Sequence, residues 1–206
     1  FDTGHSSTSI SAGLGIAQGR DLLGEDYAVI SVIGDGALTG GMAYEALNNA
    51  AHLKKNFIIV LNDNNMSISE NVGGMSKYLS GLRSGVGYNE LKRQVSETLL
   101  KIPVVGAGLV EKISRTKDSI KQLVIPGMLF ENMGVTYLGP VDGHDIKAMV
   151  KTFKEARRMD HAVLVHVLTK KGKGYAPAEK NPSRFHGIDP FDIATGKSLK
   201  KKVYPT

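Results

Sequence analysis

The sequence predicts an α/β fold, a doubly wound and mainly parallel sheet with helices on both faces. Three observations carry the prediction. Residues 27–33, 57–61 and 162–168 are short, nearly continuous apolar runs, the pattern of strands buried on both faces of a parallel sheet. Segments with apolar residues at helical spacing stand between them. The first two runs stop abruptly, at Gly34-Asp35-Gly36 and at Asn62-Asp63-Asn64-Asn65.

Taken in order, Ser6-Ser7-Thr8 supplies N-cap candidates for a helix reaching about Leu23. Gly15 and Gly19 leave one face of it bare, suited to close approach of another backbone. After the first strand, Met42, Ala43, Ala46, Leu47, Ala50 and Leu53 fall at helical spacing and predict a helix over about 39–53. The strand over 57–61 then completes a βαβ unit. Residues 66–87 are rich in Gly, Ser and Asn and read as a long loop. Residues 88–124 read as two amphipathic helices. Residues 135–138 form a third strand. Asp142 or His144 is the candidate cap for a helix carrying Ile146, Met149, Val150, Phe153 and Ala156. Residues 162–168 are the fourth strand, and a polar, Lys/Gly/Pro-rich segment follows.

The bulk composition bounds the rest. With 206 residues and 41% apolar content, the chain builds one sizeable core. It has no cysteine, which excludes disulfides and thiolate metal sites and agrees with a cytoplasmic location. It has no apolar run long enough for a membrane helix. Its first residues lack the basic and apolar regions of a signal peptide. Residues 151–206 carry 13 Lys/Arg against 5 Asp/Glu. No aromatic-interleaved stripe or nucleic-acid motif accompanies that charge, so nucleic acid is not the expected partner. A solvated surface, or a loop handling an anionic substrate, fits it instead.

The chemistry concentrates where the two buried strands end. Ligands of open parallel sheets bind beyond the carboxyl ends of the strands. One end presents a carboxylate, Asp35, and the other the amide of Asn64. Such hard oxygen donors suit magnesium or calcium. Glycines beside Asp35, and a helix starting near Thr39, favour an approaching phosphate. Taken separately, each motif reads as a turn. Together they suggest a magnesium-bridged phosphate or diphosphate.

Gly34-Asp35-Gly36, followed after 27 residues by Asn64-Asn65, resembles the metal signature of thiamine-diphosphate enzymes. The resemblance implies thiamine diphosphate and Mg2+ as cofactors. Asp35, Asn64 and the carbonyl of Met66 would be the metal ligands. Four further stretches narrow the likeness: residues 4–13, 34–42, 64–69 and 139–145. With Thr169-Lys170-Lys171-Gly172-Lys173-Gly174-Tyr175, they resemble the 1-deoxy-D-xylulose-5-phosphate synthase family over residues 1 to about 190. That family joins pyruvate to D-glyceraldehyde 3-phosphate with loss of carbon dioxide, forming a precursor of isoprenoids, thiamine and pyridoxal. The likeness also implies a homodimer of the full-length protein.

By the same likeness, Gly4, His5, Ser6, Gly36, Ala37 and Tyr175 contact the cofactor. His186 and His5 are candidates for the catalytic centre. Each has a plainer reading, His186 as a surface-loop histidine and Lys170, Lys171 and Lys173 as solvated lysines. His52, His161 and His166 read as structural. Residues 1–190 are expected to be the diphosphate-binding domain, incomplete at its start, with 191–206 leading toward a pyrimidine-binding domain that supplies an activating glutamate. Exposed interdomain surface would then favour oligomerisation, or disorder over 66–87.

The rival readings are a transketolase-type enzyme of other specificity and a cofactor-binding module without catalysis. A nicotinamide dehydrogenase is poorer, because Gln18 stands where the dinucleotide fingerprint needs its third glycine and no strand precedes it. A nucleotide triphosphatase is also poor, since Gly196-Lys197-Ser198 lacks the earlier glycine, whose position Phe191 occupies.

Overall fold

A computed structural model of the chain describes residues 3–52, 55–68, 71–84 and 128–199. The two helices expected over 88–124 lie outside the described residues. Among the described residues, four strands form one parallel sheet: β1 (Ile30–Gly34), β2 (Phe57–Asp63), β3 (Thr136–Asp142) and β4 (Ala162–Leu168), in the spatial order β1-β2-β4-β3. All four carboxyl ends therefore lie at one edge. This is the predicted fold class.

Side chains alternate across the sheet. Ile33, Phe57, Ile59, Leu61, Tyr137, Ala162 and Leu164 point to one face. There they meet α1 (Ser9–Leu23), α2 (Gly41–His52), α3 (Gly74–Ser84) and α4 (Met128–Asn132), through Ile10, Ala17, Ala43, Ala46, Leu47, Leu79, Leu82 and Phe130. Ile58, Val60, Leu138, Val163, Val165 and Val167 point to the other face, under Met149, Phe153 and Ala156 of α5 (Ile146–Ala156). A short helix, α6 (Ala176–Lys180), follows β4.

Five local expectations change. The strand expected over 27–33 begins at Ile30, and only one of its faces is covered: Ile30 is 51% exposed and Val32 60%. It is an edge strand, and α5 lies over β2, β4 and β3 instead. The loop expected over 66–87 contains α3, whose Leu79 and Leu82 are buried and whose Met75 and Tyr78 pack on the same core. Close approach occurs at Gly13 rather than at Gly15 or Gly19. A Cβ at Gly13 would lie 2.0 Å from Ser31 Oγ and 2.9 Å from the Phe57 ring, whereas no described atom comes within 4 Å of one at Gly15 or Gly19. Thr8 stands at the N-cap of α1, yet its side chain accepts no capping bond. The cap of α5 is Asp145, not Asp142 or His144. Its carboxylate accepts from the amides of Lys147 (2.9 Å) and Ala148 (3.1 Å), which only the residue directly before the helix can reach.

Candidate active site at the strand ends

The carboxyl ends of the sheet are stitched together by the backbone. The Asp35 amide donates to Asn62 O (3.3 Å), the Thr169 amide to Asp63 O (2.9 Å) and the Gly143 amide to Leu168 O (2.8 Å). The Thr169 hydroxyl donates to Asn62 Oδ1 (2.7 Å). Loops that carry the expected residues thus spring from one rigid edge.

Asp35 follows directly on β1 and is 1% exposed. Its Oδ2 accepts from Asn71 Nδ2 at 2.7 Å. Burial, then a hydrogen bond and like charge from Asp63, push its carboxyl up to about 6. Beyond it a 3-10 turn (Ala37–Thr39) leads into α2. The Ser7 hydroxyl donates to Ala37 O (2.7 Å), which brings the loop of Gly4, His5 and Ser6 to the turn. Ser7 itself has a φ of +69°. Gly4, His5 and Ser6 are exposed, and His5 Nδ1 lies 2.6 Å from its neighbour's carbonyl, Ser6 O.

After β2 the chain reverses tightly. Asn65 adopts φ +62°, its amide donates to Asp63 Oδ1 (3.1 Å), and the Met66 amide donates to Asn64 Oδ1 (3.1 Å). Asn64 and Met66 are half-buried. Asp63 is 1% exposed and also accepts from Arg83 Nη1 (2.5 Å), with His166 Nε2 at 2.9 Å. Burial raises its pKa, but the His166 hydrogen bond and further donors prevail and leave it lowered. Of two adjacent buried carboxylates, Asp63 thus pairs with the Arg83 guanidinium, whereas Asp35 meets the Asn71 amide and Asp63 itself.

Gly36 sits under the second loop. A Cβ there would lie 2.8 Å from Ser67 Cβ and 3.2 Å from Asn71 Oδ1. Only glycine keeps this cradle open. Ser67 also receives Lys171: Nζ donates to Ser67 O (2.6 Å) and lies 2.7 Å from His186 Nδ1. His186 therefore stands beside the same loop. A lysine ammonium only donates, so His186 Nδ1 accepts and Nε2 carries the ring proton. Lys170 pairs with Glu179 instead, and Lys173 is exposed. Tyr175 is turned elsewhere. Its ring packs on Phe185 and Phe191, and its hydroxyl donates to Ile193 O (2.7 Å).

The structure thus groups Asp35, Gly36 and Ala37 with Asn64, Met66 and Ser67, with the 4–6 loop and His186 alongside. Asn71, Arg83, Ser7 and the Lys171 bridge were not legible as site residues. Each stands far along the chain from what it holds: Ser7 30 residues from Ala37, Asn71 36 from Asp35, Arg83 20 from Asp63 and Lys171 104 from Ser67.

A family model described as 1-deoxy-D-xylulose-5-phosphate synthase matches residues 1–169. A curated 1-deoxy-D-xylulose-5-phosphate synthase of Lachnoclostridium phytofermentans is 60% identical over 200 residues, 97% of this chain and 32% of that one. The protein of the same description from Pelotomaculum thermopropionicum is 60% identical over 206 residues, 100% of this chain and 32% of that one. This chain spans about a third of the length of the curated relatives it matches. Among solved structures, a transketolase from Campylobacter jejuni aligns with a TM-score of 0.53 at 22% identity, covering 86% of this chain and 22% of its own. That likeness concerns the fold.

Proposed function

The chain belongs to the 1-deoxy-D-xylulose-5-phosphate synthase family, and on that premise we propose that it forms the thiamine-diphosphate and Mg2+ half of an active site joining pyruvate to D-glyceraldehyde 3-phosphate. The observation that carries the reading is the convergence of Asp35, Gly36 and Asn64 at two hydrogen-bonded parallel strand ends.

The donor set fits the group. Asp35, the Asn64 amide oxygen and the Met66 carbonyl are hard oxygen ligands, and a small divalent ion takes few of these beside phosphate oxygens and water. A buried carboxyl held up near 6 is a group whose charge a cation would stabilise. The Gly36 cradle lets the backbone approach a diphosphate without a Cβ in the way.

When bound, the cofactor supplies the electron sink needed to decarboxylate a 2-oxo acid. The residues of this chain do the rest by position. Gly36 and Ala37 present backbone amides to the diphosphate. Gly4, His5 and Ser6 border it, held by Ser7 on Ala37. His186 offers an Nε2 proton to a substrate oxygen, fixed from behind by Lys171. Tyr175 supports this wall through Phe185, the ring one position before His186. The working protein is a cytoplasmic homodimer in this reading. No helix among the described residues is long and apolar enough to cross a membrane.

Calorimetric titration with thiamine diphosphate, with and without Mg2+, tests the reading in the full chain. Mg2+-dependent binding that Asp35→Ala abolishes is expected. Unchanged binding in Asp35→Ala would overturn the metal assignment.

A further inference from the structure

Beneath the proposed metal loop runs a buried chain of polar groups with no access to solvent. The Tyr137 hydroxyl lies 2.6 Å from His166 Nδ1, and His166 Nε2 lies 2.9 Å from Asp63 Oδ2. Tyr137 and His166 are 0% exposed and Asp63 1%. The Arg83 guanidinium and the Asn65 amide both donate to Asp63, so this carboxylate is the acceptor, Nε2–H donates to it, and Nδ1 accepts the tyrosine proton. A neutral imidazole satisfies both neighbours, the requirement for burying one.

Asp63 is where this chain meets the site. Its other oxygen, Oδ1, accepts from the Asn65 amide (3.1 Å) and from Arg83 Nη1 (2.5 Å). Arg83 Nη2 donates to Asn65 Oδ1 (2.7 Å). One carboxylate therefore sets the start of the reversal that presents Asn64 and the Met66 carbonyl. The reversal includes a residue at φ +62°, which needs such support. His166 comes from β4 in register with Leu61, so its position depends on the sheet and not on the loop.

We propose that His166, locked between Tyr137 and Asp63, is a positioning residue that fixes the Asn64–Met66 turn and thereby tunes its affinity for a divalent cation. It touches neither cofactor nor substrate. Its buried ring acts only through Asp63. The inference rests on the metal reading given above. Partners of this kind behind a ligand are worth ten- to a hundredfold in metal affinity.

The test uses the full chain and Mn2+ alone as probe, followed by electron paramagnetic resonance. His166→Gln keeps an amide donor near the place of Nε2, and His166→Asn does not reach it. His166→Asn is expected to weaken Mn2+ binding about tenfold or more, with His166→Gln within about threefold of the parent. Val163→Ala, a core change on the opposite face of the same strand, controls for lost stability. In the metal-free protein, amide exchange at Asn65 and Met66 should quicken in His166→Asn and not in Val163→Ala. That readout stands even if the parent binds no Mn2+, an outcome that sinks the metal reading and not the positioning of the turn. Unchanged exchange and affinity in His166→Asn overturn the proposal, as does equal weakening by Val163→Ala at equal thermal stability. Should His166→Asn not fold, Tyr137→Phe carries the test, since it removes only the hydroxyl; parent-like exchange and affinity there overturn the proposal.

Discussion

Asn71 donates its side-chain amide to the buried Asp35 carboxylate at 2.7 Å, across 36 residues of chain. Asn71 is itself held, its carbonyl accepting from the Ser76 hydroxyl at 3.0 Å as α3 begins. Asp35 Oδ2 is thereby held in one orientation. Asn71→Ala removes that orientation and leaves a buried oxygen without a donor. The expected outcome is roughly tenfold weaker Mg2+ binding in calorimetry. Asn71→Asp should be worse, because it adds a third carboxylate to Asp35 and Asp63.

The raised pKa of Asp35 sets a pH dependence of defined sign. Folding raises the carboxyl from 3.8 to about 6, chiefly through burial. The folded state therefore holds the proton more tightly, and stability contributed by this group is present below pH 3.8 and lost as pH rises through about 6. Asp63, whose pKa is lowered, works in the opposite sense, its contribution being lost as pH falls below 3.8. Asp35→Asn should stabilise the metal-free protein at pH 7 by roughly 1–3 kcal/mol and flatten its stability between about pH 4 and 6. Denaturation across pH checks this. Mg2+ competes with the same proton, so its affinity should fall as pH drops below about 6.

Gly36 separates a steric claim from an electrostatic one. A methyl group there would press on Ser67 Cβ at 2.8 Å and on Asn71 Oδ1 at 3.2 Å. Gly36→Ala changes no charge, yet should cost about tenfold or more in thiamine-diphosphate affinity and about 1–2 kcal/mol in stability. Adding Ser67→Gly removes the nearer obstacle and should restore part of both. Calorimetry and thermal unfolding of the single and double variants measure the coupling. Additive losses would mean that the cradle is not what Gly36 provides.

What could be read from the sequence follows from how locally each feature is encoded. The runs at β2 and β4 are apolar on both faces and declare themselves. The run at β1 looks the same, but continuity cannot show that a neighbouring layer ends before the sheet does, so the exposure of Ile30 and Val32 was hidden. The apolar stripe of α3, Met75, Tyr78, Leu79 and Leu82, is interleaved with Ser76, Ser80 and Gly81, and composition masked its period. Asp35 and Asn64 were legible because a strand end marks each. Asn71, Arg83 and His166 were not, because what they hold lies 36, 20 and 103 residues away. Such partners are chosen by sheet register and helix placement, as in the pairing of His166 with Leu61. His166 reads as a structural histidine in sequence. It is buried as that reading requires, but what it holds became visible only with Asp63 beside it.

Lys171 joins two segments that sequence alone keeps apart. Its ammonium donates to Ser67 O and contacts His186 Nδ1, so it fixes both the loop over Gly36 and the ring beside it. Lys171→Met keeps most of the apolar stem and removes the donor. His186 is then free to take the other tautomer or to leave the site. The expected result in the full chain is a fall in kcat of about tenfold or more, with Mg2+ affinity within about twofold of the parent, because Lys171 touches no proposed metal ligand. Lys171→Arg should recover little, since the planar guanidinium cannot place one donor on both acceptors at the same angle. Steady-state kinetics beside Mg2+ titration distinguishes the roles. A loss confined to KM would assign Lys171 to substrate binding alone, and parent-like kinetics would remove His186 from the catalytic centre or make its support by Lys171 dispensable.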